Sequence, residues 1–170
     1  MEKLVFNMYD YHVWANQTIF NHLKQLPQEV YTMEMQSVFP SVSKVMSHIY
    51  MVDHCWYDIL SGKSMNEALA SANQLIEQAE AKSIEELDAL FSDLSERYKA
   101  FFSRQDNMDQ TIELDNPYAG FRKTSYAEIV LQVVNHGTYH RGNISAMLRQ
   151  IGHASVMTEF ALFWYAKQDE

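Results

Sequence analysis

The chain has 170 residues, 47% of them hydrophobic, with a formal net charge of −9 and a pI near 5.2. That length suits one domain, read as spanning 1–170, with enough apolar material for a core that needs no covalent staples. The acidic balance, with no basic run longer than Arg122-Lys123, excludes a phosphate-tracking face, so no nucleic-acid partner is expected.

The single cysteine, Cys55, rules out internal disulfides and cysteine-rich zinc sites. No apolar run approaches the roughly 20 residues of a membrane span, and Met1-Glu2-Lys3-Leu4 has no signal-peptide pattern. A cytoplasmic protein with no membrane partner is the expectation.

In chain order, residues 3–26 predict a first helix. Its apolar stripe is Val5, Met8, His12, Ala15, Ile19 and Leu23, and Pro27 follows its end. Pro40 and Ser41 open a second helix running to Leu60, with Val45, His48, Val52, Cys55 and Ile59 on one face and Ser61-Gly62 as the stop. Residues 63–82, polar and Ala-rich, read as a connection with one short helix. Ser83 caps a third helix, with Glu86 completing a capping box and Leu87, Leu90, Leu94, Tyr98 and Phe101 as the buried stripe. Residues 106–123 read as a long loop or a small hairpin. Thr124 or Ser125 caps a fourth helix that runs to Ile151 and stops at Gly152, and the aromatic tail from Phe160 to Tyr165 is expected to pack back on the body. Four long amphipathic helices predict an all-α four-helix bundle.

The chemistry is concentrated in the fourth helix. Ile129, Val133, His136, His140, Met147 and Ile151 follow helical spacing, so His136 and His140 take positions that would otherwise be apolar. Residues four apart on a helix lie one above the other on one face, within reach of a single metal ion. A catalytic metal usually has three protein ligands and an open position. The third must come from another helix, and His48, which interrupts the apolar stripe of the second, is the best candidate. Three imidazoles suit zinc, nickel, copper or ferrous iron and disfavour magnesium and calcium; manganese is a further candidate.

Plainer readings stand beside this one. A lone histidine on an apolar face, as with His48, is commonly a hydrogen-bonded core residue. Gly137 stands where zincin proteases carry their general base, so that class is excluded. None of the seven histidines has a carboxylate three residues before it, which excludes a di-iron carboxylate centre. His12 lies on the stripe of the first helix, where it reads as a core or surface residue, with a place near the site as the alternative; His54 points away from His48, and His22 and His153 sit near helix ends. Cys55 reads as a buried structural residue, and Trp14, Trp56 and Trp164 as core packing. Tyr139 and Arg141 flank the pair and are candidates for substrate contact, with an ion pair or solvent the more ordinary place for Arg141. Asn135 and Asn143 are candidates for orienting the imidazoles.

The segment Asn135-His136-Gly137-Thr138-Tyr139-His140-Arg141-Gly142-Asn143-Ile144 resembles the fourth-helix signature of the DinB/YfiT-like metalloprotein family. His48-Ile49 with Trp56 resembles its second helix, and Tyr11-His12-Val13-Trp14-Ala15-Asn16 its opening helix; the match extends along nearly the whole chain. The resemblance implies an up-down-down-up bundle. It also implies a divalent metal, often zinc or nickel, on His48, His136 and His140, and a homodimer. Relatives include transferases of low-molecular-weight thiols such as bacillithiol and mycothiol, suspected hydrolases, and members with no known reaction; the family's name implies no DNA contact.

The first expectation is therefore a metal-dependent enzyme with an open position on the triad, transferring a small thiol to an electrophile. Hydrolysis is the alternative, and a non-catalytic metal-binding stress protein the next. Last is a plain bundle whose histidines bond to one another. No catalytic residue beyond the triad, and no organic cofactor, is assigned.

Overall fold

The structure, a computed structural model, describes residues 2–166. Its elements in order are α1 (Glu2–Leu23), α2 (Gln28–Thr32), α3 (Val42–Leu60), α4 (Met65–Glu80), α5 (Ile84–Phe102), β1 (Thr111–Asn116), β2 (Gly120–Ser125), α6 (Tyr126–Gln150) and α7 (Phe160–Ala166).

The ring contacts define how the four long helices run. On α1 and α5, Phe6 meets Phe102 while Phe20 meets Phe91, so these two are antiparallel. On α3 and α5, Tyr50 meets Phe91 and Tyr57 meets Tyr98, so these run parallel. Arg141 of α6 reaches His12 and Asn16 of α1, and farther along both chains His22 donates to the Ala154 carbonyl, so α1 and α6 are parallel. The bundle is up-down-down-up, as the resemblance implied. The stripes read from the sequence face inward, with Ala15, Ile19, Val45, Leu87, Tyr98, Val133 and Met147 at 0–1% exposure. Each large apolar side chain so buried contributes roughly 1.5–3 kcal/mol.

The connection over 63–82 is a correction. It holds α4, a helix of 16 residues, not a short one. Two consecutive parallel helices need a return path as long as the bundle, and α4, packed on α3, is that path. Its start was legible, because Ser64 and Glu67 form a capping box, but its buried face is Met65, Ala68, Ala72 and Ala79. Alanines carry too little apolar area to stand out in a polar segment. The fourth-helix cap is Ser125, whose side chain accepts from the Glu128 backbone N–H while Glu128 accepts from the Ser125 N–H.

Residues 106–123 resolve toward the hairpin. β1 and β2 pair antiparallel, with Ile112 opposite Thr124 and Asn116 opposite Gly120, and Gly120 takes a positive φ of 84° that closes the turn. The short α2, with Val30 and Tyr31 buried, was not foreseen. The tail packs back in part. Phe163 is buried and the Phe160 ring lies 5.1 Å from Tyr11, but Trp164 is 54% exposed and Tyr165 65%, so Trp164 is not a core residue.

Candidate metal centre

The triad forms across the seam between α3 and α6. These helices are antiparallel, which brings His48, near the start of α3, level with the middle of α6. One ring nitrogen each of His48, His136 and His140 lies within 4.8 Å of the others. His48 Nε2 and His136 Nε2 approach to 3.1 Å, and the ring centroids of His136 and His140 are 4.4 Å apart, one helical turn. His140 Nδ1 donates to Asn143 Oδ1 at 3.1 Å. That bond leaves its Nε2 as the free lone pair and gives Asn143 the orienting role expected of it. The Phe39 ring, 5.1 Å from His48 and 5.4 Å from His140, shields the cluster on one side.

Electrostatics keep the rings neutral. Burial, then the neighbouring His140, His48 and His12, pull the His136 pKa down to about 3. Burial lowers His48 and His140 too, the latter partly offset by Asn143. Neutral imidazole is the ligating form. Core histidines satisfied by hydrogen bonds need a partner at each buried nitrogen. His136 Nδ1 is buried with no hydrogen-bond partner, so internal pairing does not account for this ring. Among the described residues no carboxylate or thiol joins the cluster. Three neutral nitrogen donors without a fourth protein ligand could hold a divalent ion and leave a position open.

A pH dependence follows. The folded protein holds His136 at about 3 against roughly 6.5 for a free histidine, so the unfolded chain binds the proton first. The neutral form's contribution is complete above about pH 6.5 and is lost as pH falls from there toward 3. The urea midpoint of metal-free protein should therefore drop between about pH 7 and about pH 5, and drop less in His136→Gln. Equal slopes in the two proteins would show that His136 does not contribute to it.

The other candidates fall outside the triad itself. His12, 2% exposed, belongs to a buried network. Its Nε2 meets Asp53 Oδ2 at 2.8 Å, and Arg141 Nη1 lies 3.3 Å from its Nδ1, a pairing met when the proton sits on Nε2. Arg141 also donates to Asn16 Oδ1 and to Thr138 Oγ1, each at 2.8 Å. At 1% exposure Arg141 does not face solvent, which corrects that reading, and its charge is linked to Asp53 through His12. His54 sits 3.8 Å from Asp58 and 3.4 Å from Arg97, away from the triad. Burial, then Asp58, pushes the Cys55 thiol up to about 11, far from a nucleophile's range. Tyr139 is 63% exposed, its ring 5.0 Å from His140, while Asn135 stands open on the helix surface.

Sequence reasoning missed Asp53, Asn16 and Phe39. His12 and Asn16 do share a helix face four residues apart, a visible signal for a polar pair in an apolar stripe. Gly137 also has a role that spacing did not suggest. A Cβ there would fall 2.4 Å from His12 Cε1 and 2.9 Å from Arg141 Nη1, so α6 and the His12 ring touch where only glycine fits.

The chain folds as an up-down-down-up helical bundle with a three-histidine cluster on the α3–α6 seam that could hold a metal ion. The DinB family model matches residues 1–170, and the chain is 51% identical to Protein DinB of Bacillus subtilis (strain 168) over 170 residues, which covers 100% of this chain and 99% of that protein. The chain belongs to the DinB family. Among the described residues no helix is long and apolar enough to cross a membrane.

Proposed function

We propose that the protein is a metal-dependent enzyme in which His48, His136 and His140 hold one divalent ion, zinc or nickel, and that it transfers a small thiol to an electrophile. The observation that carries the reading is the convergence of three neutral imidazoles with no fourth protein ligand beside them among the described residues. A divalent ion held there would lower the pKa of a bound thiol or water, for water toward about 7.

The chain's own residues support thiol transfer over hydrolysis. Hydrolysis calls for a general base at the reacting water. Asp53, the carboxylate that reaches the α1–α6 contact, is committed to His12 at 2.8 Å. Thiol transfer needs less. The thiol proton leaves to solvent, the sulfur attacks the electrophilic atom, and the leaving group departs with its electron pair. His48, His136 and His140 fix the approach, Asn143 holds the His140 ring in the right tautomer, and Phe39 excludes water from one side.

The test is elemental analysis of untagged protein beside His136→Ala, followed by a screen of small thiols against electrophiles. About one equivalent of zinc or nickel, lost in the variant together with turnover, is the expected result. Turnover that survives metal removal would overturn the enzyme reading, and metal without turnover on any thiol pair or ester would leave a binding protein. No metal in either sample would return the histidines to the core.

A further inference from the structure

Farther along the α3–α6 seam, beyond the triad, lies an open groove. Gln132 lies one helical turn before His136 on α6, and Trp56 two turns after His48 on α3. Because the two helices are antiparallel, both steps lead the same way, toward the hairpin. There Trp56, Ile129, Leu131, Gln132 and the β2 residue Phe121 line a groove of about 840 Å³. That volume falls in the range of small-molecule sites, about 300–1,000 Å³. Large apolar side chains stand open on its walls, with Phe121 64% and Leu131 41% exposed.

Charge narrows the occupant. The cation on the rim, Arg122, is spent on Glu128 at 2.7 Å, and Glu128 is further held by Thr124 at 2.8 Å. No net charge is offered to a ligand along this wall. Two aromatic faces and the exposed amides of Gln132 and Asn135 remain. Such a wall stacks a flat apolar ring and hydrogen-bonds one polar substituent. A second groove of about 690 Å³ lies across α6, between Tyr11, Thr138, Met157 and Phe160, but its α6 residues sit on the face turned away from His136.

We propose that the α3–α6–hairpin groove is the site for a neutral, aromatic-bodied organic substrate, laid along Trp56 and Phe121 with its reacting end toward His136. The proposal rests on the metal-enzyme reading only for which end reacts.

The test uses N-phenyl-1-naphthylamine, a neutral fluorescent aromatic, with the full-length protein and with the exposed-site variant Phe121→Ser, which leaves the core intact. Saturable binding with energy transfer from tryptophan is expected, the transfer reduced in Trp56→Phe, where Trp14 and Trp164 remain as donors, and the affinity weakened roughly tenfold in Phe121→Ser. In cobalt(II)-loaded protein, saturating probe should also shift the visible absorption bands. Binding that Phe121→Ser leaves unchanged but Met157→Ser weakens would move the site to the other groove and overturn the proposal. Absent saturable binding, or binding that vanishes as the protein self-associates, would overturn it too. Failure to take up cobalt while the naphthylamine still binds at Phe121 would count against the metal reading and leave the groove standing.

Discussion

Replacing Arg141 with Met should destabilise the protein by about 3–5 kcal/mol, the range for removing one partner of a buried charge network. Arg141 is 1% exposed, and Asp53, 3% exposed, is tied to it through His12. Arg141→Met keeps most of the side-chain volume but leaves a buried carboxylate without its counter-charge. It also removes the donor from Asn16 Oδ1 and Thr138 Oγ1. Against a total stability of about 5–15 kcal/mol for a domain of this kind, that loss brings the variant close to unfolding. Urea denaturation measures it, and Arg141→Met combined with Asp53→Leu should regain much of the loss, because an apolar replacement of the whole network needs no counter-charge. A single variant within about 1 kcal/mol of the parent would show that the network carries little net energy.

Gly137→Ala should cost about 2 kcal/mol net and weaken metal binding at least tenfold. Alanine improves helix propensity by up to about 1 kcal/mol, but overpacking costs about 1–3 kcal/mol and here the clash dominates. The new Cβ would meet His12 Cε1 at 2.4 Å and His12 Nδ1 at 2.7 Å, and His12 is held by Asp53 and cannot swing away cheaply. The easiest relief is for α6 to move off α1. That motion carries His136 and His140, the neighbours of Gly137 on the same helix, away from His48 on α3. Chelator competition reads the metal affinity and urea unfolding reads the stability. Unchanged affinity in a variant that has lost stability would mean that the α1–α6 contact and the triad are mechanically independent.

Much of this arrangement was legible beforehand. Helical periodicity placed His136 and His140 on one buried face, because a repeat of 3.6 residues ties sequence spacing directly to direction. The same argument marked His48 as a histidine in an apolar stripe. Ser83, Ser125 and their glutamates announced two helix starts, since capping is a local hydrogen-bond exchange within four residues. The family signature added the helix directions, which periodicity alone leaves free.

Other features depended on contacts between segments far apart in the chain. Arg141 looks like a surface residue of α6 until α1 closes over it, since burial of a charged side chain depends on partners 125 and 129 positions away. Asp53 falls off the apolar stripe of α3 and acquires its meaning only when His12 meets it across the bundle. Gly137 reads as a weak point in a helix until His12 is seen against its Cα. The groove beside Trp56 exists because a hairpin 55 or more residues later folds over the same seam. Local spacing determines which side chains share a face, whereas the charge balance, close approaches and concave surface are properties of packed faces, set by where the helices meet.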